Sequence, residues 1–268
     1  MRIIIGLAAL ARSGKDTIAS MLLKHENVSA FALADPLKAG CQALFGLSDE
    51  QAWDDAFKEI EIPLWQMSPR QMFQQVGTDW LRNHNANHWL MRADRHINQP
   101  PISPPSPTAD QLKSSDAPIR LAAQAFFGLT DAQTWDETLE SEIDPFWGMF
   151  PLQIFELIEN LCEKYLPAYR ETRSKLDVET LSMNHTKSKL TDIIIIKDIR
   201  FENEAEYLRS HNGRIWHIIR PNAEKVQSHS SEFGIKIKDG DLVIKNSGTL
   251  QELEQQVQSA WSEILPSH

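Results

Sequence analysis

A glycine-lysine loop lies directly between a short apolar strand and a helix near the start of the chain. Ile3, Ile4 and Ile5 are consecutive β-branched residues within Arg2–Leu10, and this pattern predicts a buried strand. The segment Ala9–Thr17 (ALARSGKDT) follows, with a small residue, four further residues and then Gly-Lys. This is the spacing of a phosphate-binding loop, or P-loop. A strand, loop and helix in this order are typical of α/β folds that bind nucleotides.

The residue types in this loop suit a phosphate ligand. Gly14 lets the backbone curl so that successive N–H groups point at the phosphates, and Lys15 can bridge the β- and γ-phosphates. The positive end of the following helix faces the same anion. Two positions depart from the pattern: Ala9 replaces the usual first glycine, and Asp16 replaces the usual Mg²⁺-binding serine or threonine. Asp16 can contact the metal or its water shell, and Thr17 can reach an α-phosphate.

Strands and helices alternate at both ends of the chain. We predict, in order, helix Lys15–Lys24, strand Phe31–Leu33, helix Leu37–Phe45, strand Ile193–Ile196, helix Asn203–Ser210, strand Arg214–Arg220, strand Leu242–Ile244 and helix Thr249–Ile264. Such alternation predicts an α/β domain with a largely parallel sheet flanked by helices. Lys197, Asp198, Ile199 and Arg200 follow the four-isoleucine run, at the end of its predicted strand.

The middle of the chain differs in character from its ends. Residues 99–118 are rich in proline and serine and predict an extended linker. Beyond it, residues 124–155 repeat residues 42–73 without a gap, at a constant offset of 82. The identical pairs include Phe45/Phe127, Gly46/Gly128, Trp53/Trp135, Asp54/Asp136, Pro63/Pro145, Trp65/Trp147 and Pro69/Pro151. We interpret this as a partial internal duplication rather than a solenoid, which needs three or more units.

The repeat suggests a division of the chain into a core and an insertion. The predicted core consists of residues 1–98 and 190–268, and the predicted insertion, which is mostly helical, covers residues 99–189. The two copies differ at Arg70, which becomes Leu152, and at the predicted turn Gly77-Thr78-Asp79, which becomes Glu159-Asn160-Leu161. The second copy keeps the aromatic residues and loses an anion-binding candidate, so we interpret it as a structural or partner-contact copy.

Composition excludes several classes of protein. The formal charge is −10, from 27 Lys+Arg against 37 Asp+Glu, so long nucleic acid is not an expected partner. Cys41 and Cys162 are the only cysteines; they lack metal-ligand spacing and do not indicate a disulfide framework. No apolar run approaches the roughly 20 residues that a membrane-spanning helix needs. We expect a soluble, cytoplasmic protein without a membrane partner.

Several segments along the chain form a further pattern: SGKDT (13–17), ALADPLK (32–38), SPRQMFQQVGTDWLR (68–82), Trp89, KDIRFENEAEYLR (197–209), HIIRP (217–221) and SHSSEFGIKIKDGDLVIKNSGTLQEL (228–253). Together they resemble the phage deoxynucleoside monophosphate kinases. Their order and spacing are similar to the family over residues 1–98 and 190–268, and residues 99–189 look like an addition to it. The resemblance implies a P-loop nucleoside-monophosphate-kinase fold. It also implies ATP and Mg²⁺ as cofactors, a deoxynucleoside monophosphate (dNMP) as acceptor and a homodimer, whose surface the added region could cap or replace.

The resemblance also implies roles for particular residues. The ATP phosphates would be held by Arg12, Ser13, Gly14, Lys15, Asp16 and Thr17. The monophosphate and its nucleoside would be contacted by Lys38, Arg70, Gln74, Gly77, Thr78, Asp79 and Trp89. Lys15, Arg200 and Asp198 would be catalytic, with Lys15 and Arg200 placing positive charge over the transferred group. Asp16 and Asp198 would bind Mg²⁺, directly or through water, and Asp198 could instead receive the acceptor proton.

Two other functions fit the same residues. A kinase for another small phosphorylated acceptor is one, because phosphomevalonate kinases of the animal type also carry Ser-Gly-Lys-Asp in their P-loop, and dephospho-coenzyme A is a comparable acceptor. A nucleotide-binding interaction protein without catalysis is the other, with the duplicated region as its contact surface. Arg70 argues against this second alternative, because a protein that only binds ATP does not need an acceptor-side arginine. The preferred base cannot be read from the sequence.

Overall fold

The computed structural model describes residues 3–10, 13–98, 106–180, 191–221 and 235–264, except for the side chain of Asp198. The chain forms two compact units, the first from residues 1–33 and 188–268 and the second from residues 34–187. Each unit has a hydrophobic core of its own. Across the described ranges, no helix combines the length and the apolar character required to cross a bilayer.

The first unit contains a five-stranded, all-parallel sheet. Its strands are β1 (Ile3–Ala9), β2 (Val28–Phe31), β3 (Ile193–Ile199), β4 (Arg214–Ile219) and β5 (Leu242–Lys245), in the order β2-β3-β1-β4-β5. Strand β1 is central and pairs with β3 on one side and β4 on the other. Ala8 lies opposite Ile199, so β1 and β3 end at the same edge of the sheet.

Helices cover both faces of this sheet. They are α1 (Lys15–Leu22), α11 (Glu202–Ser210) and α12 (Leu250–Ser262). Ile5 and Leu7 of β1 are fully buried in the core that α1 and α12 share. Gly6, which points to the opposite face, leaves room for Leu208 of α11, since an added Cβ would lie 2.7 Å from the Leu208 side chain. The predicted α/β fold with a parallel sheet is confirmed.

One strand was predicted at the wrong position. The second strand was expected at Phe31–Leu33, whereas β2 is Val28–Phe31, because Val28 pairs with Ile193 and Phe31 with Ile196. Leu33 is buried, but it lies between the strand and the next helix and takes no part in the sheet.

The second unit is helical. Its helices are α2 (Ala34–Phe45), α3 (Asp49–Trp53), α4 (Pro69–Gln74), α5 (His88–Asn98), α6 (Ala109–Leu112), α7 (Ala117–Phe127), α8 (Asp131–Trp135), α9 (Pro151–Tyr165) and α10 (Tyr169–Arg173), with a π-helical segment at Gln75–Arg82 and a 3₁₀ turn at Glu137–Leu139. Helices α2 and α7 pack against each other. Gly40 makes this close approach possible, because a Cβ there would lie 2.0 Å from the ring of Phe126.

Contacts recur within this unit at the 82-residue offset of the sequence repeat. Trp65 donates its indole N–H to the Phe45 carbonyl at 2.9 Å, and Trp147 donates to Phe127 at 2.7 Å. The backbone bridge between residues 62 and 67 has a counterpart between residues 144 and 149. The recurrence extends upstream of residue 42, since α2 and α7 carry proline at equivalent positions, Pro36 and Pro118.

The helix that follows each repeat packs on the other repeat. Arg92 of α5 donates from Nε to the Ala125 carbonyl at 2.8 Å, and Arg173 of α10 donates to the Ala43 carbonyl at 3.1 Å. The rings one turn earlier in the two helices stack on the two equivalent tryptophans. These stacked pairs are His88 on Trp147, with centroids 5.2 Å apart, and Tyr169 on Trp65, at 5.9 Å. The two repeats therefore share one core.

The two compact units divide the chain at a different place from the predicted core and insertion, and that division stays a prediction. Residues 34–98 pack with the second repeat, and the unit boundary falls at Leu33 instead of residue 98. The proline-rich stretch was expected to be extended throughout, but it contains helix α6 and the start of α7. Thr108 caps α6 by accepting from the Gln111 N–H, and this capping favours the start of a helix at this point.

Burial of His88 predicts that the second unit loses stability in mild acid. Burial lowers the His88 pKa from 6.5 to about 3, so the folded state keeps the ring neutral while the unfolded chain takes up a proton below pH 6.5. Stability should therefore fall as the pH falls from 6.5 towards 3, by about 2 kcal/mol between pH 7 and pH 5. Urea unfolding at the two pH values measures this loss.

Substitutions separate His88 from other titrating groups. His88→Phe retains an aromatic ring but cannot bind a proton, so its stability should depend on pH by about 2 kcal/mol less than that of the wild type. His84→Gln, at an exposed histidine nearby, should behave like the wild type. An equal pH dependence in wild type and His88→Phe would show that His88 does not cause the acid sensitivity.

Candidate functional site

The glycine-lysine loop opens helix α1 with its peptide N–H groups directed out of the helix. Gly14 has φ 93°, a left-handed conformation that is costly for any residue with a side chain. The first helical hydrogen bond runs from the Ile18 N–H to the Gly14 carbonyl at 3.1 Å. The N–H groups of Lys15, Asp16 and Thr17 precede this bond and point out of the amino end of the helix, as an anion site requires.

The loop residues differ in exposure. Ser13 is buried, Gly14 and Lys15 are half-buried, and Asp16 and Thr17 are exposed in the first turn of α1. Arg12 lies outside the described residues, so its predicted contact with the ATP phosphates stays a prediction.

Asn246 is a residue of this site to which the sequence assigned no role. Its side-chain amide donates to the Ser13 carbonyl at 2.9 Å, and its backbone N–H donates to Ile219 at 2.8 Å, which fixes it beside strand β4. A Cβ on Gly14 would lie only 2.4 Å from this amide. Asn246 therefore fixes the backbone of the loop at Ser13 and Gly14. It lies within the family-like segment 228–253, but the contact spans 233 positions of sequence and no local pattern reveals it.

Strand β3 ends beside the end of β1, the strand that leads into the glycine-lysine loop. Arg200 follows β3 directly and is exposed, and its backbone N–H donates to the Glu204 carboxylate at 2.8 Å. Phe201 N–H donates to the same carboxylate at 3.1 Å, so buried Glu204 fixes the start of α11. Asp198 is the penultimate residue of β3, but its side chain is outside the described part of the structure. The backbone thus brings the loop, Asp198 and Arg200 to one edge of the sheet.

The predicted acceptor-side cations lie in the second unit. Arg70 is in the first turn of α4, where Ser68 and Gln71 form a capping box, and its exposed guanidinium pairs with Glu59. Lys38 is half-buried in α2, with its ammonium 5.4 Å from the centroid of the Trp53 ring. Both side chains retain access to solvent, which an anion-binding role requires.

The segment with Gly77, Thr78 and Asp79 was predicted as a turn, and this was wrong, because it lies inside the π-helical segment Gln75–Arg82. Gly77 is buried against Leu37, where a Cβ would meet the leucine side chain at 2.8 Å, and Thr78 and Asp79 are exposed. Wide π-turns frequently occur at functional sites.

Two other acceptor-side candidates flank this segment. Gln74 is exposed at the end of α4, so it can reach a ligand. Trp89 is buried, with 8% of its surface exposed, and its indole N–H donates to the Gly77 carbonyl at 3.0 Å. Trp89 therefore supports the π-helical segment from within the core, and its polar atom is already engaged by the protein.

The residues present fit Mg²⁺ bound together with nucleotide phosphates. The carboxylate of Asp16 is exposed in the first turn of α1, beside the N–H groups at the amino end of the helix. Among the side chains described, no group of three or more His, Cys, Asp and Glu could hold a metal by itself. Mg²⁺ usually binds through one or two carboxylates, water and the substrate phosphates.

The chain matches known proteins in two ways. A family model described as deoxynucleotide monophosphate kinase matches residues 175–257, which contain β3, α11, β4, β5 and the first part of α12. A protein of Acanthamoeba polyphaga mimivirus, provisionally named a deoxynucleotide monophosphate kinase, is 26% identical over 258 residues. That match covers 95% of this chain and 94% of the mimivirus protein, and so includes most of residues 99–189.

Two phage enzymes match a shorter stretch. The deoxynucleotide monophosphate kinases of Enterobacteria phage T4 and Escherichia phage RB69 are 35% and 34% identical over 68 and 67 residues. Each match covers 25% of this chain and 28% of the phage protein. The predicted resemblance to the phage-type deoxynucleoside monophosphate kinases is confirmed. The family match includes Asp198, Arg200 and Asn246 but not Arg70, so it does not bear on the predicted acceptor-side residues.

Loss of the Asn246 side chain should weaken nucleotide binding without unfolding the chain. Asn246→Ala removes the donor to the Ser13 carbonyl, a hydrogen bond of about 1 kcal/mol, so the Kd for ATP should rise about fivefold. Calorimetric titration with MgATP measures this change. Gln258→Ala, on the exposed face of α12, is the control and should bind ATP like the wild type. Equal affinity for wild type and Asn246→Ala would exclude a role for Asn246 in shaping the loop.

Proposed function

We propose that this chain is an ATP-dependent deoxynucleoside monophosphate kinase, which converts ATP and a dNMP into ADP and a dNDP. The observation that carries the proposal is the match to kinase relatives over the segment that contains β3. This strand ends beside the end of β1, which leads into the glycine-lysine loop. A phosphate loop alone supports any nucleotide binder, whereas this combination favours a phosphotransferase.

The transfer itself needs little covalent chemistry from the protein. An oxygen of the acceptor monophosphate attacks the γ-phosphorus, a new P–O bond forms, and the bond between the γ-phosphorus and the β,γ-bridging oxygen breaks. Both electrons of the broken bond remain on ADP. The protein contributes in-line positioning and positive charge over the three equatorial oxygens, where negative charge is spread in the transition state.

The first unit supports the donor half of this reaction. The N–H groups at the start of α1 and the Lys15 ammonium would hold the β- and γ-phosphates, with Asn246 fixing the loop around Gly14. Arg200, at the neighbouring strand end, would stabilise charge on the transferred group. Mg²⁺, when bound, would neutralise charge on the β- and γ-oxygens, with Asp16 and Asp198 as its protein ligands, directly or through water. Asp198 could alternatively receive the acceptor proton.

The second unit supports the acceptor half. Arg70 carries a planar guanidinium that can bind two phosphate oxygens at once, and Lys38 supplies a second positive charge from a half-buried position. Thr78, Asp79 and Gln74 are exposed and would face the substrate, whereas buried Gly77 and Trp89 would shape its site. A homodimer and a cytoplasmic location remain predictions.

Turnover across a panel of acceptors tests this proposal. ADP release should be fastest with one or more of dGMP, dTMP, dCMP and dAMP, and slow with phosphomevalonate, dephospho-coenzyme A or no acceptor. Arg70→Ala should lower kcat/KM for the preferred dNMP by about 10- to 100-fold, because a charged hydrogen bond to phosphate is lost.

A second arginine supplies the control. Arg170→Ala removes an exposed arginine of the same unit that pairs with Glu159 and Glu163, and it should leave the kinetics unchanged. Tight ATP binding without transfer to any acceptor would contradict the kinase assignment, and unchanged kinetics in Arg70→Ala would remove Arg70 from the site.

A further inference from the structure

The recurring contacts allow the two repeats to be compared position by position. Arg70 N–H donates to the Lys58 carbonyl at 2.9 Å, and Leu152 N–H donates to the Glu140 carbonyl at 3.2 Å. Positions 58 and 140 therefore occupy the same place in the two repeats. Each carbonyl is hydrogen-bonded to the first turn of the next long segment of helix, α4 or α9. Lys38 and Arg120, in α2 and α7, are the corresponding pair of cations at the same offset.

In the second repeat, extended upstream through α7, the Arg120 cation is neutralised by the carboxylates of Asp116 and Glu140. Arg120 donates from Nη1 to Glu140 at 2.7 Å and from Nε to Asp116 at 2.5 Å. A third bond runs from Nη1 to the Thr134 carbonyl at 2.9 Å. The Arg120 and Glu140 side chains are only 16% and 15% exposed, so the pair is closed to solvent anions. This repeat has no vacant position for an external phosphate at Arg120.

Both of these carboxylates are missing from the first repeat. The position of Asp116 is occupied by Ala34, and the position of Glu140 is occupied by Lys58. The residue equivalent to Leu152 is Arg70, which adds a third cation. In the second repeat, the positive charge of Arg120 is thus neutralised by nearby carboxylates. In the first repeat, the equivalent positions carry three cations, which are Lys38, Lys58 and Arg70.

The carboxylates that do contact these cations lie at the surface. Lys58 pairs with Asp55 at 2.8 Å, and Arg70 pairs with Glu59, but the Asp55 and Glu59 side chains are 83% and 59% exposed. The hydrogen bond from Lys58, followed by the charges of Lys58, Lys38 and Arg70, lowers the Asp55 pKa. All three cations therefore act on one region, and exposed pairs of this kind are weak enough for a ligand anion to displace.

We propose that Lys58 is a third cation of the acceptor site, which binds the phosphate monoester together with Lys38 and Arg70, and that Glu140 takes the place of this anion in the second repeat. The proposal rests on the proposed function for the identity of the phosphate monoester. It explains why one repeat retains a binding role and the other is structural.

Charge variants at position 58 test the assignment. Lys58→Gln should raise the KM for the preferred dNMP by about tenfold, because one charged contact is lost, and Lys58→Glu should raise it further, since it reproduces the pair seen in the second repeat. The KM for ATP should stay within about twofold in both variants. A glutamate is already accommodated at the equivalent backbone position, 140, which favours folding of Lys58→Glu.

Lys113→Glu is the matched control. Lys113 pairs with Asp110 at the same three-residue spacing as Lys58 with Asp55, but at an exposed site distant from the three cations in sequence. Its KM for dNMP should equal that of the wild type. Thermal melting of each variant separates a loss of binding from a loss of folding.

Binding of inorganic phosphate, measured by calorimetric titration, separates this inference from the proposed function. Turnover of a dNMP with unchanged KM in Lys58→Gln and Lys58→Glu would overturn the role of Lys58 and leave the kinase assignment intact. Phosphate binding that is weakened by both Lys58 variants, in a protein that phosphorylates no dNMP, would support the anion site and contradict the kinase assignment. Phosphate binding that is equal in wild type and both variants would overturn the inference in either case.

Discussion

The parallel pairing of β1 with β3 determines what the first unit can do. Because both strands run in the same direction and Ala8 lies opposite Ile199, the residues that follow them emerge at one edge of the sheet. The glycine-lysine loop follows one strand, and Arg200 follows the other. The alternation that buries Ile5 and Leu7 between helices also holds this edge in place, so the apolar core and the proposed donor site depend on the same register.

Much of the first unit could be predicted, because its strands contain long β-branched runs and its loop has a characteristic spacing. The error at β2 arose because Val28–Phe31 includes serine and alanine, and only pairing with Ile193–Ile196 selects it as a strand. The Asn246 contact with Ser13 could not be predicted, since the two residues are 233 positions apart and no local sequence pattern links them.

The second unit was harder to predict from sequence. The repeat indicated equivalent segments, but not that the helix after each repeat packs on the other one. That exchange depends on side-chain contacts such as Arg92 with Ala125 and Arg173 with Ala43. The π-helical form of Gln75–Arg82 depends on Trp89 and on packing against Leu37, which no local propensity encodes. The change of charge between the repeats is visible in the sequence, but the role proposed for it depends on the pairing of Arg120 with Glu140.

The central proposal is that the Lys15 loop and the Arg70 cation serve one reaction. Equilibrium binding of a bisubstrate analogue, in which adenosine and a deoxynucleoside are joined through five phosphates, tests it most directly. We predict that the analogue binds at least about tenfold more tightly than ATP, because one molecule would occupy both proposed half-sites. Lys15→Met and Arg70→Ala should each weaken its binding. An analogue that binds no more tightly than ATP and is unaffected by Arg70→Ala would contradict the account.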